Sequence, residues 1–557
     1  MIRSGSELVL EVLQTEGVSY VFGNPGTTEL ALVNTIGMQA DIKYVLGLQE
    51  ATVVGMADGY ARATNKPAFV NLHATAGLGN GLGAVSNAAY MNTPMVITAG
   101  QQDFRHLADE PWLSGDLVGL ARPLCKWAHE VRTAGELGIM LRRAFKEANS
   151  YPKGPVFVSL PQNFMEQQTD AMVPEKSIVY QQSVAAGLEQ LCDVLDCLQE
   201  NQLAIVAGDE ISAADALAEV IDLAELLGAD VYGSALHDSV VFPTSHPLWR
   251  GALKPASDEI QKTLEPYKKV LAIGERCFMS YLYTPESPLP KHLDLLHLSA
   301  NPKALAMTFG VKWSSVGDVR SSLHALNALL RQSGRKPANN KIEICRKANA
   351  EKVQQCHREL RGDMDAVPIP PESAAYVFLE SIAEDAIIVD EAPATMWTVR
   401  QHFQTSGSGQ YHFSKGGGLG WAMPAAVGIA IERRDQSVYC LIGDGAAMYS
   451  PQALWNAANL KLDITFVVFN NSEYGVLKNY LRAVQTNPAT KDNFIGMDIN
   501  SPAIDFQFLA SSMDVAFEKV EKARDIEAVI ARMQSIQGPR LVEIVIAPLI
   551  SNNISKQ

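Results

Sequence analysis

Cysteine is scarce and unpatterned in this chain. Seven cysteines lie scattered through 557 residues. The odd number and the lack of any CxxC pair argue against a disulfide framework and for reduced thiols in the cytoplasm. Each reads most simply as a small buried apolar residue. There is no HExxH and no Cys/His cluster at zinc spacing. No apolar run reaches the roughly 20 residues that a membrane helix needs. Basic charge is also short: 46 Lys and Arg against 61 Asp and Glu leave a net charge of −15 and a pI near 5.3. A nucleic-acid partner demands the opposite, a basic patch. The N-terminal stretch MIRSGSELVLEVLQTEG interrupts its apolar positions with acidic residues. It reads as an amphipathic helix capped by Ser4 or Ser6, not as a secretory signal.

What is present is an ordinary globular composition, 47% hydrophobic and 19% charged. The length is too great for one core. The first third alternates strand and helix: strands at Val18–Phe22, Lys43–Leu48, Pro67–Leu72 and Val96–Gly100, with a helix over Glu50–Thr64. The first strand ends in the forced turn Gly23-Asn24-Pro25-Gly26. The third is followed by His73 and a glycine-rich loop, GLGNGLG. A last strand in GPVFVSLPQNFMEQ leaves the domain. Polar stretches at Glu175–Gln182 and Ser333–Lys341 read as linkers. Between them strands at Leu203–Val206, Asp230–Tyr232 and Lys269–Ile273 repeat the pattern, and strands at Ala386–Asp390 and Leu541–Ile546 bracket a third instance. The fold class expected is α/β, three doubly wound parallel-sheet domains over 1–170, 183–332 and 345–550.

The third domain carries the strongest chemical signal, Ser437 to Tyr474. An apolar run, Val438–Ile442, breaks at Gly443-Asp444-Gly445, and a helical pattern follows through Leu454, Trp455 and Leu460. A second apolar run, Ile464–Phe469, ends in Asn470-Asn471. In open α/β sheets, ligands sit at the carboxyl ends of strands. Asp444 and Asn471 offer hard oxygens there, the kind Mg²⁺ takes together with phosphate and water. The glycines and the helix start after Gly445 suit a phosphate. Singly, each dipeptide reads as an ordinary turn; as a pair at successive strand ends they read as one metal–diphosphate site.

Two other glycine-rich segments invite a dinucleotide reading, and both miss it. Leu82 occupies the third glycine position of GxGxxG in GLGNGLG, and Trp421 does so in GGGLG, Gly416–Gly420. Glu50, after the second strand in LQEATVVGMADGYAR, could be a dipole-favoured first-turn residue. Facing an apolar pocket, it would instead have a raised pKa and could share a proton with a ring nitrogen.

GNPGTTEL, LQEATVVGMADGYAR, NLHATAGLGNGLGAVSNA, GGGLGWAMPAA and GDG…NN occur in the order found in the 2-oxo-acid decarboxylase branch of thiamine-diphosphate enzymes. The chain resembles benzoylformate decarboxylases over essentially its whole length, including AFVNLHATAG, TAGQQ and PLCKW. The resemblance implies pyrimidine-binding, middle and diphosphate-binding domains, and thiamine diphosphate with Mg²⁺ as cofactors. It implies that Glu50 bonds N1′ of the aminopyrimidine, that the Gly417 carbonyl takes the 4′-amino group, and that Leu419 is the wedge that bends the cofactor. Asp444, Asn471 and the backbone carbonyl of Glu473 would hold the metal, with Gly443, Gly445 and Tyr474 completing the cradle. A homodimer would be the minimal catalytic unit, commonly assembled as a tetramer. The middle domain is flavin-binding or structural in relatives, and nothing here signals FAD.

The implied reaction is non-oxidative loss of CO₂ from a 2-oxo acid to give an aldehyde, the cofactor carrying the hard step. His73 would serve as acid/base, although by itself it reads as a hydrogen-bonded core histidine. Thr27 would contact the substrate carboxylate; its plainer reading is a helix N-cap. The pocket would be lined by Trp112, Leu113, Phe413, Val476, Leu477 and Tyr480, apolar and bulky enough for an aromatic or branched substrate. Three departures stand out. Tyr281, in GERCFMSYLYTP, stands where the family has a second catalytic histidine, and a phenol with a pKa of about 10 is a poorer relay. The family's serine is Thr27. Hydroxyls expected near the diphosphate are Pro393 and Ala394. The changed relay opens an alternative: a carboligase of the acetolactate synthase type. A cofactor-binding subunit without catalysis is a third possibility, opposed by intact Glu50, Asp444 and Asn471.

Overall fold

The protein is described by a computed structural model covering residues 2–39, 41–176, 182–281, 283–483 and 493–548. Three six-stranded parallel sheets follow one another along the chain. The first contains β1 (Tyr20–Gly23), β2 (Lys43–Leu46), β3 (Ala68–Leu72), β4 (Met95–Gln101), β5 (Ala128–Glu130) and β6 (Pro155–Pro161), in the order β2-β1-β3-β4-β6-β5. The second contains β7 (Leu203–Ala207), β8 (Asp230–Gly233), β9 (Trp249–Ala252), β10 (Lys269–Ile273), β11 (Asp294–Ser299) and β12 (Trp313–Val316), in the order β9-β8-β7-β10-β11-β12. The third contains β13 (Ile387–Glu391), β14 (Tyr411–Phe413), β15 (Val438–Gly443), β16 (Ile464–Asn470), β17 (Ala516–Val520) and β18 (Arg540–Val545), in the order β14-β13-β15-β16-β18-β17.

The central strands are apolar runs because parallel strands are covered on both faces. AFVNL, MVITAGQ, LAIVA and nearly all of ITFVVFN are buried. Strand ends differ from the expected ones by a residue or two, the usual latitude where a ladder frays. The first and third sheets share one strand order, so their strand ends present equivalent positions. The middle sheet has the other doubly wound order, the one common among dinucleotide-binding sheets.

Helix α1 (Gly5–Glu16) is capped by Ser4. The Ser4 hydroxyl accepts the Glu7 N–H at 3.3 Å, and the Glu7 carboxylate accepts the Ser4 N–H at 2.7 Å. That reciprocal pair chooses Ser4 over Ser6, which is buried. Helix α2 (Glu50–Thr64) has the expected bounds. The segment GLGNGLG is not a loop: it lies inside α3 (Ala74–Tyr90). Its small residues serve packing. A Cβ at Gly77 would stand 3.2 Å from Glu50 Oε1, and one at Gly81 3.3 Å from a Leu72 methyl.

Helix α2 crosses α4 (Ala422–Glu432) at close range, because Gly428 lets the Met56 carbonyl approach where a side chain would collide. One apolar core spans the first and third sheets through this crossing, joining Val53, Val54 and Met56 to Trp421, Met423 and Val427. The second linker is shorter than expected, since a helix already begins at Asn339. Residues 177–181 of the first linker lie outside the described residues. No helix among the described residues is long and apolar enough to cross a membrane.

Candidate active site

The third sheet builds one half of the site. Strands β15 and β16 are parallel neighbours with Gly443 opposite Phe469, so Asp444 and Asn471 emerge side by side at their carboxyl ends. Asp444 is 4% exposed, and its Oδ2 is buried with no hydrogen-bond partner. Burial is the main reason its carboxyl is pushed up to about 6; the charge of Glu473 adds to this, while N–H groups of Gly445 and Ser472 oppose it. Asn471 Oδ1 accepts the Glu473 N–H at 3.3 Å, and Ser472 between them turns the chain with a φ of 55°. Glu473 Oε2 pairs with Lys478, whose ammonium also reaches Asp498. Tyr474 lies against Gly445, where a Cβ would come within 2.6 Å of its ring.

A buried carboxylate oxygen without a partner is costly. A hard cation satisfies it, and the oxygens of Asp444, Asn471 and Glu473 fit Mg²⁺ in kind. Among the described residues there is no group of three or more His, Cys, Asp or Glu side chains that would hold a metal unaided. The set therefore fits an ion that takes the rest of its shell from a bound diphosphate.

The GGGLG loop lies next to this half. Gly417 has a φ of 80°. The Asn87 side chain grips Gly418 twice, its amide donating to the carbonyl and its oxygen accepting the N–H, both at 2.9 Å. The buried Glu391 carboxylate accepts the Gly420 N–H at 2.6 Å and the Ala422 N–H at 2.7 Å. Leu419 stands half-exposed between the two grips. Neither Asn87 nor Glu391 was expected from sequence. Glu391 had a signal: it is a polar residue at the carboxyl end of the apolar strand IIVDE, like Asp444 and Asn471.

The first sheet builds the other half. Glu50 opens α2, with Asn80 Nδ2 donating to its Oε2 at 3.1 Å. His73 follows β3. Its Nδ1 lies 2.8 Å from Glu29 Oε2 and 3.2 Å from Thr28 Oγ1. A Cβ on Gly26 would overlap the His73 ring, so only glycine fits there. Thr27 is exposed and opens a single turn whose N-cap is Gly26. Glu29 and Thr28 were not expected. Both come from GNPGTTEL, beside the threonine that was.

The expected pocket residues are spread over this surface. Trp112 is 86% exposed. The carbonyl of Leu113 accepts the Thr75 hydroxyl at 3.0 Å, which places it two residues from His73. Phe413 lies under the Arg400 guanidinium at 4.6 Å. Val476, Leu477 and Tyr480 sit half-exposed on the helix Gly475–Ala483, just after the Asn471–Glu473 turn. Tyr281 belongs to the middle domain, is 80% exposed, and is held by its N–H on the Pro255 carbonyl. Among the described residues no hydrogen bond joins Tyr281 to His73, or Glu50 to Asp444, Asn471 or Glu473. The Glu50–His73 half is supplied by the first domain and the Asp444–Glu473 half by the third, whose GGGLG loop Asn87 of the first domain also grips.

The two halves, with a diphosphate cradle at one and a carboxylate beside a histidine at the other, are those of a thiamine pyrophosphate enzyme. The chain belongs to that family: residues 3–118 match its N-terminal TPP-binding domain, 193–326 its central domain and 393–544 its C-terminal TPP-binding domain. It is 32% identical to benzoylformate decarboxylase of Pseudomonas aeruginosa over 539 residues, covering 96% of this chain and 97% of that one. It is 25% identical to the acetolactate synthase large subunit of Haemophilus influenzae, covering 86% and 84%. The structure of a thiamine diphosphate-dependent 4-hydroxybenzoylformate decarboxylase from Rhodococcus jostii superposes with a TM-score of 0.87 at 30% identity, covering 99% of this chain and 100% of that one.

Proposed function

We propose that this protein decarboxylates an aromatic or branched 2-oxo acid to an aldehyde and CO₂, using thiamine diphosphate and Mg²⁺. The observation that carries this reading is the Glu29–His73 pair, an oriented acid/base beside the Glu50 end of the site. When bound, the cofactor supplies an electron sink for the pair left behind by departing CO₂. Glu50 holds a proton at N1′, and the Gly417 carbonyl accepts the 4′-amino N–H. Leu419, on a loop gripped on both sides, would pack against the bound cofactor. Asp444 Oδ2, Asn471 and the Glu473 carbonyl would hold Mg²⁺ together with the diphosphate. His73 delivers the proton that completes the aldehyde, and the Thr27 hydroxyl meets the substrate carboxylate. Trp112, Leu113, Phe413, Val476, Leu477 and Tyr480 exclude water and favour a bulky apolar side chain.

The working unit in this reading is a homodimer, and the full assembly a homotetramer in the cytoplasm. Support comes from the half-exposed Leu419, Val476, Leu477 and Tyr480. These apolar side chains are ones a partner would cover. A second reading, carboligation to a hydroxyketone, is favoured by the position of Tyr281, well exposed and unattached to His73. A site with one oriented acid leaves more time for an acceptor aldehyde to compete with protonation.

One assay decides between them. Full-length protein with thiamine diphosphate and Mg²⁺ is given aromatic, branched and short 2-oxo acids, and CO₂, free aldehyde and hydroxyketone are measured. Aldehyde matching CO₂, fastest with aromatic or branched acids, is expected. Hydroxyketone without free aldehyde selects the second reading, and no turnover of any 2-oxo acid removes both.

A further inference from the structure

The middle sheet has the strand order of dinucleotide-binding sheets, yet its crevice is chemically wrong for a phosphate. The order reverses between β7 and β10, where Ala207 pairs with Ile273. Ligands of such sheets lie just beyond those two strand ends. Here β7 runs into Gly208-Asp209-Glu210 and β10 into Gly274-Glu275. The three carboxylates line a cavity of about 420 Å³ between the three domains. Glu210 is taken up by the Ser299 hydroxyl and the Ala300 N–H, both at 2.7 Å, and Glu275 by the amides of Asn92 and Asn301. Arg62, Lys153, Lys415 and Arg433 also line the cavity, but Arg62 and Lys415 are paired with Asp238 and Asp209, so at the two strand ends a diphosphate would meet carboxylates where it needs cations and N–H groups.

What does enter this crevice is a side chain of the cofactor loop. Lys415 immediately precedes Gly416, and its buried ammonium bonds Asp209 and stands 3.2 Å from Asp238 Oδ2. Asp238 in turn pairs with Arg62 of α2 at 3.1 Å and holds Arg62 again through its carbonyl at 2.7 Å. The Asp238 N–H donates to Asp209 at 2.7 Å. Two cations and two carboxylates, one cation from the first domain and one from the third, meet on the middle domain. Burying such a set is tolerable only because every charge has a partner. The loop from Lys415 to Ala422 thus has polar anchors from all three domains: Asp209 and Asp238 on Lys415, Asn87 on Gly418, and Glu391 on Gly420 and Ala422.

We propose that the middle domain works as a positioning element for the cofactor loop, with Lys415 seated in the crevice that sheets of this order elsewhere give to a nucleotide. This rests on the cofactor reading above, in which the Gly417 carbonyl and Leu419 act two and four residues beyond Lys415. Lys415 is a positioning residue; it acts through those two.

The test is made on the full chain. Lys415→Met alone would strand two buried carboxylates, so it is combined with Asp209→Asn, which removes one charge of each sign. Amide hydrogen exchange is first measured without cofactor. Exchange across 416–421 is expected to rise about tenfold in the double variant while 438–443 stays as in the wild type, since a lost anchor opens only its own segment. Asp209→Asn alone leaves Lys415 a partner in Asp238, and a rise of about threefold is expected there. It takes over the test if the double variant does not fold. Thiamine diphosphate with Mg²⁺ is then titrated by intrinsic fluorescence, where affinity about tenfold weaker is expected in the double variant and recovery in Lys415→Arg. FAD and ADP at millimolar concentration are expected to leave the wild-type melting temperature unchanged. Unaltered exchange at 416–421 in a folded variant overturns the proposal whether or not the cofactor binds, and stabilisation by FAD or ADP overturns it as well. Wild-type protein that fails to bind thiamine diphosphate overturns the cofactor reading instead.

Discussion

Glu29 Oε2 and His73 Nδ1 lie 2.8 Å apart at the carboxyl ends of β1 and β3. The Glu29 carboxylate is buried and fully engaged. Oε1 accepts the Thr28 hydroxyl at 2.7 Å and the Gly100 N–H at 2.8 Å, and Oε2 accepts the Gly26 N–H at 3.0 Å together with His73. A carboxylate can only accept, so Nδ1 carries the proton of that bond. Nε2 is then the nitrogen left for substrate.

This fixes a first expectation. His73→Ala should slow turnover by roughly the 10² to 10⁴ of a lost acid/base. Glu29→Gln turns one acceptor into a donor facing N–H groups, so it should misorient the ring and cost about tenfold or more. Steady-state kinetics check both, and in a His73→Ala background the Glu29 change should add little, since the two act as one unit. Additive losses would mean that Glu29 supports the fold and not the histidine.

Glu50→Gln should leave the cofactor bound but suppress proton exchange at thiazolium C2, because an amide has no acidic proton to share with N1′. Exchange is followed by NMR on quenched samples. Unchanged exchange would return Glu50 to the role of a first-turn residue.

Much of this was legible in the sequence where a single strand end carries the chemistry. GDG and NN each follow an apolar run, and buried parallel strands show themselves as such runs. The Glu29–His73 contact was not legible in that way. The partners are 44 residues apart, and they meet only because β1 and β3 are neighbours with Gly23 opposite Asn71. GLGNGLG misled because glycine signals turns, whereas in α3 it admits Glu50 and Leu72 to the helix surface. Nothing in the sequence singles out Lys415; its partners Asp209 and Asp238 are about 200 residues away and meet it only once the domains are packed.

Asp444 yields a prediction with opposite signs in the absence and presence of ligand. Its carboxyl rises from a usual 3.8 to about 6 through burial. The folded state therefore loses stability as pH climbs from below 3.8 to above 6, by about 3 kcal/mol, and at pH 8 the whole cost is present. Asp444→Asn removes that cost, so the metal-free variant should melt a few degrees above wild type at pH 8. It should also lose a hard ligand, so that Mg²⁺ with thiamine diphosphate no longer raises its melting temperature. A variant still stabilised by the pair as strongly as wild type would exclude Asp444 as the metal ligand.

Glu391 extends the same logic to the loop it holds. Burial moves its carboxyl from a usual 4.5 up to about 7, against the lowering effect of the Ala422, Gly420 and Trp421 N–H groups. Because the folded pKa lies above the unfolded one, its contribution to stability is complete below about 4.5 and declines as pH rises to 7, by on the order of 3 kcal/mol. Glu391→Gln abolishes the titration but turns an amide N–H₂ toward backbone N–H groups. The variant should therefore be clearly less stable than wild type at pH 5, and the gap should narrow by pH 8. Asp390 beside it also titrates high, but it is present in both proteins and cancels in the difference. Denaturation midpoints at the two pH values give the comparison. A gap that widens with pH would mean that Glu391 grips the loop as a permanently ionised carboxylate, and that burial is not what governs it.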